Sequence, residues 1–219
     1  MKNLFKFTLP LLLLVGMISC SKIEEDTPNP FTPGTVALDP NEISQFHASI
    51  DGIPFAFTLP GVGIDTTAET GWTIGGDTLG RIYKSFLVDT VLGQPAVAVY
   101  LGKNSFILNT TSNPVHILPT ESEFKTFFTQ GSGYRTFSDT TEDMDGAAFF
   151  WRDTVNNVTW STLGPQNGSS FHIDTIAPVT LFGQYHVKAR MSFKCTLYDG
   201  NGAIRNLTNG VFIGVFRNG

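Results

Sequence analysis

The segment from Gln184 to Tyr198 reads QYHVKARMSFKCTLY, and apolar and polar residues alternate along its whole length. Alternation with a period of two predicts a β-strand with one face in the core and one face in water. Because the segment exceeds the usual strand length, we expect a bulge or bend within it. The sequence DGNG at 199–202 predicts a turn, and residues 204–216 predict a strand that returns beside the first. A long antiparallel hairpin is therefore expected at the centre of the fold.

The composition indicates that the rest of the chain is also β-structure. The 219 residues include 19 Phe, 22 Gly and 12 Pro but only 15% charged residues, which is typical of many short strands joined by tight turns. A capping box formed by Thr120 and Glu123, followed by three Phe on one helical stripe, predicts one short helix near 121–129. The regular strand spacing predicts an all-β fold, an antiparallel β-sandwich or jelly roll, in a single domain over residues 44–219.

Residues 1–19 have the order of a signal peptide: two lysines, a short apolar run, and Ser19 before Cys20. We expect cleavage before Cys20, because the apolar run is short for a ~30 Å hydrocarbon core; a permanent transmembrane helix is the alternative. The residues MISC at 17–20 resemble the lipobox of bacterial lipoproteins. That resemblance implies diacylglycerol on the Cys20 sulfur and an acylated N-terminus.

Residues 20–43 form the expected tether. The acidic run SKIEED at 21–26 resembles the surface-export signal of Bacteroidota lipoproteins, an ordinary solvated linker being the other interpretation. Residues 27–40 hold four prolines and no apolar periodicity, which is typical of a semi-extended spacer. The expected location is the outer membrane, with the domain lipid-anchored and facing the cell exterior.

Two short stretches carry a resemblance to a family. The sequence FHASIDGIPFAF at 46–57 contains Asp51-Gly52 between alternating apolar runs, which predicts a hairpin. It resembles the opening hairpin of uncharacterised lipid-anchored lipoproteins of Bacteroidota, and LTNGVFIGVF at 207–216 resembles their final strand. The resemblance implies a β-sandwich on a lipid anchor, and it implies no activity.

Charge and motifs argue against several classes of function. The net charge is −5, loss of Lys2 and Lys6 with the leader leaves −7, and no run of basic residues occurs, so nucleic acid is not an expected partner. The chain lacks a nucleophile elbow, an HExxH motif and a glycine-rich phosphate loop, so we expect no enzyme and no cofactor. We expect a surface module that binds or displays a glycan or an envelope protein. A glycan-acting hydrolase and a structural component of an envelope assembly are the alternatives.

Aromatic and basic residues are the candidates for ligand binding. Trp151 lies in a stretch that is apolar on both strand faces, and its ring could stack on a sugar. The polar face of the segment Gln184–Tyr198 carries four residues that could meet an anionic glycan, unless that face is merely solvated. They are His186, Lys188, Arg190 and Lys194.

Four carboxylates stand close together before Gly146 and are candidates for Ca²⁺ binding. Their spacing matches no EF-hand loop, and a solvated acidic turn is the other interpretation. The four histidines are scattered singly, so no zinc site is expected. The carboxylates are Asp139, Glu142, Asp143 and Asp145.

An Asp-Thr pair followed by Thr or an aliphatic residue occurs six times, whereas composition predicts about one. The pattern resembles the O-glycosylation sequon of Bacteroidota, in which Thr receives the glycan; the alternative is a strand-end pair whose side chains bond to nearby backbone. We expect the first, second and fourth copies to lie in loops and the others to follow strands directly, shielded by neighbours. The threonines are Thr66, Thr78, Thr90, Thr140, Thr154 and Thr175.

The two cysteines have unrelated expected roles. Cys20 is the expected lipidation site, and Cys195 shares the apolar face of its segment with Phe193 and Leu197. We therefore expect Cys195 to be a buried free thiol that packs as a small apolar side chain, and we expect no disulfide.

Overall fold

The computed structural model describes residues 38–58, 64–75, 78–89, 94–107, 120–129, 133–140 and 145–218. These residues form eleven β-strands and one α-helix, which confirms the predicted all-β class with a single short helix. The strands are β1 (Gln45–Ile50), β2 (Ile53–Thr58), β3 (Ile64–Gly75), β4 (Thr78–Asp89), β5 (Gln94–Ile107), β6 (Tyr134–Arg135), β7 (Gly146–Asp153), β8 (Val158–Ser161), β9 (Ser170–Leu181), β10 (Gln184–Tyr198) and β11 (Ile204–Arg217), and the helix is α1 (Glu121–Thr129).

The strands form one sheet that curls so that its two halves face each other. The order is β2-β1-β11-β10-β8-β7-β5-β4-β3, with β9 beside β10 and β6 beside β9. Every ladder between these strands is antiparallel. Strand β10 meets β8 through one residue pair, Tyr198 with Ser161, and β11 packs against β3 and β4 across the interior. The result is the sandwich-like fold that the strand spacing predicted.

The central hairpin is the one that the alternation predicted. Strand β10 covers the whole predicted segment and pairs with β11. The register shifts after Arg190 against β9 and after Phe193 against β11, but in both ladders the extra residue lies in the partner strand and not in β10. At the turn, Asp199 Oδ1 accepts hydrogen bonds from the backbone N–H groups of Asn201 (2.8 Å) and Ala203 (2.9 Å). This carboxylate holds the loop that reverses the chain.

A second hairpin forms at Asp51-Gly52, also as predicted. The two residues have φ of 51° and 81°, so both lie in the left-handed region that a two-residue hairpin turn of this hand requires. Strand β1 then pairs with β2 on one side and with β11 on the other. The opening hairpin is thereby joined to the central one.

The interior is filled by aromatic rings. Phe193 of β10 lies 4.9 Å from Phe149 of β7 and 5.6 Å from Phe171 of β9, measured between ring centroids. Phe46 of β1 lies 5.2 Å from Phe149, so rings from four strands meet in one cluster. Cys195 is buried beside this cluster as a free thiol, as its position in the alternation predicted.

Helix α1 closes one end of the interior. Its three buried Phe side chains pack around Tyr83 of β4. The helix begins with the predicted capping box: Glu123 N–H donates to Thr120 Oγ1 (3.2 Å), and Thr120 N–H donates to Glu123 Oε2 (2.7 Å). Each side chain satisfies a backbone N–H that the first turn leaves unpaired.

The outer face of β10 is covered, so the prediction of a solvent-exposed polar face is wrong. His186, Lys188 and Ser192 are buried, and Arg190 is half-buried. Lys194 is exposed. Residues 38–44, which we call the N-terminal strap, cross this face at Lys188 and Arg190.

Polar contacts hold the N-terminal strap on the sheet. Lys188 Nζ donates hydrogen bonds to the carbonyl oxygens of Pro40 (2.8 Å) and Glu42. The guanidinium of Arg190 pairs with the carboxylate of Glu42 at 2.6 Å. Alternation along a strand indicates which residues are polar, but it does not indicate whether another segment crosses them. Here backbone carbonyl oxygens of the strap replace water as the partners of the Lys188 ammonium group.

The first residue of the strap is buried as well. Leu38 packs in a small apolar cluster with Ala177 of β9 and Ile213 of β11. Residues 38–43, the end of the predicted tether, therefore lie against the domain. The other residues of that tether and the predicted signal peptide lie outside the described residues.

Candidate functional site

Trp151 does not present its ring to solvent. Its side chain is 5% exposed, and its ring lies 5.2 Å from Phe55 and 6.4 Å from Trp160, measured between centroids. The guanidinium of Arg205 covers both indole rings, 5.7 Å from Trp151 and 4.7 Å from Trp160. The sequence around Trp151 is apolar on both strand faces because β7 is buried on both faces. Trp151 is therefore a core residue in this structure.

The four polar residues predicted on β10 do not form one open surface. The His186 ring contacts the carbonyl of Gln184 (Nδ1 to O, 2.9 Å). Burial lowers the pKa of Lys188, and the negative charges of Glu42 and Asp39 offset part of this effect. Arg190 and Lys188 both hold the N-terminal strap, which leaves the exposed Lys194 as the predicted residue that a ligand could reach directly.

The predicted calcium ligands are described only in part. Asp139 and Asp145 are exposed, whereas Glu142 and Asp143 lie outside the described residues. Among the described residues, no three His, Cys, Asp or Glu side chains come together as the ligands of a metal ion would.

Of the Asp-Thr threonines, Thr140 lies outside a strand, as expected, but others that the structure describes lie in different surroundings from those expected. Thr66 is within β3, although we expected it in a loop, and Thr154 is exposed in the turn between β7 and β8, although we expected it to be shielded. The reason is that β3 is longer than its apolar pattern indicated, while β7 ends at the residue before Thr154. The other placements are Thr78 at the start of β4, Thr140 half-buried outside a strand, Thr175 half-buried in β9, and Thr90 outside the described residues.

A cleft of about 270 Å³ lies between the end of α1 and the edge of β9. Its lining includes Phe128, Thr129, Gly133 and residues 172–176. In the β9–β10 ladder, Thr175 faces Arg190 and Ile173 faces Met191, so Asp174 is an extra residue in β9. This bulge turns the Asp174 side chain toward His172 and Ser192.

Three side chains beside the cleft form a hydrogen-bonded chain. Ser192 Oγ donates to Asp174 Oδ1 (2.8 Å), and the same oxygen lies 2.7 Å from His172 Nδ1. Both members of the His172–Asp174 pair are largely buried. A carboxylate oxygen at this distance accepts a hydrogen bond, so Nδ1 of His172 carries a proton and donates it to Asp174.

The ring of Tyr134 contacts His172 of this polar group and lies next to the residues that line the cleft. Tyr134 of β6 pairs with His172 in the β6–β9 ladder, and their ring centroids are 4.4 Å apart. The Tyr134 side chain is 62% exposed. Gly133 precedes it with a φ of 81°, and a Cβ at Gly133 would stand 2.3 Å from the carbonyl oxygen of Ile173. A residue without a Cβ therefore lets β6 approach β9 closely enough to place the tyrosine ring over the histidine.

The order of these side chains differs from that of an acyl-transfer triad. Such a triad places the imidazole between the hydroxyl and the carboxylate, so that the imidazole can take the hydroxyl proton. Here the carboxylate of Asp174 lies between Ser192 and His172, and Ser192 is buried. The group is therefore suited to hydrogen bonding of a ligand, and its His172–Asp174 pair alone has the geometry of a general base.

Sequence reasoning missed this group because its members come from three strands. His172 and Asp174 stand two residues apart in β9, and we considered Asp174 only as part of an Asp-Thr pair. The available signal was the polar H-x-D pattern inside an apolar strand. The bulge that brings Asp174 to the same neighbours as His172 has no local sequence signature.

Comparison of the chain with protein-family models, with curated proteins and with solved structures finds no match in any of the three. The part of the chain that the structure describes contains no helix long and apolar enough to cross a membrane.

Proposed function

We propose that this protein is a lipid-anchored protein of the outer membrane, facing the cell exterior, whose β-sandwich domain binds a glycan at the cleft beside β9. The observation that carries the proposal is the exposed ring of Tyr134 next to the hydrogen-bonded pair His172–Asp174. The signal-peptide pattern and the lipobox resemblance that ends at Cys20 support the anchor.

The chemistry of the cleft fits a sugar better than an apolar ligand or a free anion. A sugar ring has an apolar C–H face, which an aromatic side chain such as Tyr134 can cover, and hydroxyl groups that both donate and accept hydrogen bonds. Asp174 supplies an acceptor and His172 supplies a ring nitrogen of either role. The volume of about 270 Å³ is at the lower end for ligand pockets, so it suits one or two sugar units at a chain end.

The glycan proposal is tested on the acylated mature protein, residues 20–219, in detergent. A glycan array identifies a ligand, and isothermal titration with that glycan measures the affinity. Tyr134→Ala should weaken binding about tenfold, since an aromatic contact contributes up to about 1.5 kcal/mol beyond its buried area. Asp174→Asn should also weaken binding, while Val155→Ala, in the exposed turn between β7 and β8, should leave it unchanged.

A rival location for a sugar is the groove of about 190 Å³ on the outer face of β4, β5 and β7. Its aromatic wall includes Tyr100 and Phe150, whose ring centroids are 4.6 Å apart. Loss of binding in Phe150→Ala with unchanged binding in Tyr134→Ala would move the site to that groove. Thermal melts of each variant separate a lost contact from a lost fold.

The anchor is tested separately from the glycan. Cys20→Ser should release the protein from the membrane fraction, because stable anchoring requires the acyl chains. If the Cys20→Ser protein stays membrane-bound with its leader uncut, the proposed anchor is wrong. The glycan proposal is not affected by that result, because the titrations test it separately.

A hydrolase is the second candidate function, and the His172–Asp174 pair is the observation that favours it. If the protein cleaves a glycan that it binds, new reducing ends should appear with time. Replacement of His172 by Gln should then abolish their release while binding persists. Binding without release of reducing ends supports the binding module.

We also propose O-glycosylation at Asp-Thr pairs, first of all at Thr154. Thr154 is exposed in a four-residue turn at 154–157, where an added sugar meets no packed neighbour. Peptide mass spectrometry of protein from the native host should show hexose-type mass on the peptide that contains Thr154. A mature mass equal to polypeptide plus lipid would leave the Asp-Thr pattern as an architectural feature.

A further inference from the structure

The turn between β9 and β10 consists of Phe182 and Gly183, and it presents an aromatic ring to solvent. The Phe182 side chain is fully exposed, and Leu181 beside it is also exposed. The φ angles of the turn residues are 52° and 74°. A bulky residue in the left-handed region is disfavoured, because its Cβ crowds the backbone.

The fold itself does not account for this aromatic residue. Asp51-Gly52, a two-residue turn elsewhere among the described residues, has nearly the same φ angles, 51° and 81°, and uses the residue types that this turn favours. Phe182 keeps the backbone strain of the left-handed region without burial that would offset it. A strained, exposed aromatic residue indicates a contact with something outside the domain.

The surroundings of Phe182 favour a lipid surface as that contact. The residues around the turn read PVTLFGQY at 178–185 and include no charged side chain. The opposite end of the sandwich also exposes apolar residues, namely Ile53, Val155 and Ile204. Charged residues stand in or beside the turns that carry them: Asp51, Asp153, Asp199 and Arg205. Aromatic and uncharged residues are preferred at the boundary between lipid headgroups and acyl chains.

The N-terminal strap places the tether on the same part of the molecule. Leu38 packs against Ala177, which lies in the same hairpin as Phe182 and five residues before it. The chain from Cys20 to Leu38 can span at most about 60 Å when fully extended. A domain held by Cys20 can therefore bring the Phe182 turn to the membrane surface.

We propose that the hairpin tip Phe182-Gly183 inserts into the interface of the lipid bilayer and orients the domain on the membrane. This inference rests on the proposed lipid anchor for its setting. The acyl chains supply affinity for the membrane. The aromatic tip supplies a second point of contact, which holds that end of the sandwich against the membrane. The opposite end, with the turns at 51–52, 154–157 and 199–202, then points away from the membrane.

The test uses a membrane attachment that does not depend on acylation. The mature chain, residues 20–219 with Cys20→Ser and an N-terminal hexahistidine tag, is held by a nickel-chelating lipid on vesicles of phosphatidylethanolamine and phosphatidylglycerol. An environment-sensitive fluorophore is attached at Phe182→Cys. The buried thiol of Cys195 stays unlabelled in the folded chain. Brominated acyl chains should quench the probe, and its emission should shift to the blue.

Two matched variants make the result specific. The same fluorophore at Val155→Cys, at the opposite end, should be neither quenched nor shifted. A probe at Gln184→Cys, next to the tip, should lose its quenching when Phe182→Asn is added, because Asn adopts the left-handed region without strain and removes the ring. That variant keeps the turn folded.

The outcomes separate this inference from the proposed anchor. Absence of quenching at position 182 on vesicle-bound chain overturns the inference, and so does equal quenching at positions 182 and 155. Release of the Cys20→Ser protein from native membranes tests the anchor alone. The proposed insertion of the tip can therefore be wrong while the proposed anchor is right, and the reverse also holds.

Discussion

At the scale of single residues, Asp153 shows how one carboxylate organises a turn. Its Oδ1 accepts hydrogen bonds from the backbone N–H groups of Val155 (3.1 Å) and Asn156 (3.1 Å), and its Oδ2 accepts one from Asn156 Nδ2 (2.7 Å). The Asn156 side chain is the largest cause of a lowered pKa at Asp153, and the two backbone N–H groups add to it. The strand-end interpretation of the Asp-Thr pairs is correct for this copy.

Asp153→Ala should destabilise the domain by about 1–2 kcal/mol, the range for losing such local hydrogen bonds. Because the folded pKa lies below the unfolded value, ionised Asp153 stabilises the fold above about pH 4, and this contribution is lost as the pH falls through the folded pKa. Urea denaturation at several pH values should show the wild-type advantage at neutral pH and its loss in acid. The control is Asp139→Ala, which removes an exposed carboxylate. A difference that stays constant from neutral pH to the lowest pH at which the domain still folds would contradict this account.

Cys195 makes a second prediction at this scale. Burial raises the pKa of its thiol, so the reactive thiolate is scarce at neutral pH and the sulfur is also shielded. The native mature protein should add no iodoacetamide at Cys195, and one carbamidomethyl group should appear there after denaturation. Peptide mass spectrometry reads both states. Rapid labelling of the native protein would place Cys195 outside the core.

At the scale of elements, the N-terminal strap depends on Lys188. Lys188→Ala removes the donor to the carbonyls of Pro40 and Glu42 and should cost about 1.5–3 kcal/mol, the range for hydrogen bonds to a charged group. Lys188→Met keeps the apolar stem and loses only the donor, so it separates packing from hydrogen bonding. Limited proteolysis should cut residues 38–44 faster in both variants. Lys194→Ala, from the exposed end of the same face, should change neither the cleavage rate nor the urea midpoint.

The elements that the sequence predicted well are those with local causes. The alternation in β10, the Asp51-Gly52 turn and the capping box at Thr120 each act within a few residues, and the structure confirms all three. The candidate site depends on non-local causes. Asp174 joins His172 only through a bulge against β10, and the basic face of β10 is covered by residues more than a hundred positions earlier. A strand pattern states which faces are polar, and tertiary contacts decide which of them meets water.

At the scale of the whole molecule, the strand spacing predicted the class of the fold but not the order of its strands. The pair Tyr198–Ser161 joins the two halves of the sheet, and the strands on either side of it are far apart in sequence. The closed shape therefore depends on how tightly the two halves meet in the interior. The two halves come close together at Gly214 of β11, where a Cβ would lie 2.4 Å from Ser85 Oγ of β4 and 2.3 Å from the ring of Phe212.

Gly214→Ala should therefore destabilise the domain by about 1–3 kcal/mol, the range for overpacking a filled core. Ser85→Ala alone should be neutral or stabilising, because the Ser85 hydroxyl is buried and finds no hydrogen-bond partner among the described residues. In the double variant, removal of the hydroxyl relieves part of the clash, so the cost of Gly214→Ala should fall by about 0.5–1 kcal/mol. Urea denaturation of the four proteins measures this coupling.

The matched control is Gly210→Ala, which crowds Leu207 and the backbone of Phe193 within the β10–β11 half of the sheet. It should also destabilise the fold, but its cost should be the same with Ser85 or Ala at position 85, because Ser85 is not among the atoms that a Cβ at Gly210 would meet most closely. Coupling of Ser85→Ala to Gly214→Ala alone would show that β4 and β11 meet across the interior in solution. Equal coupling to both glycine variants, or to neither, would mean that the halves of the sheet do not close at this point.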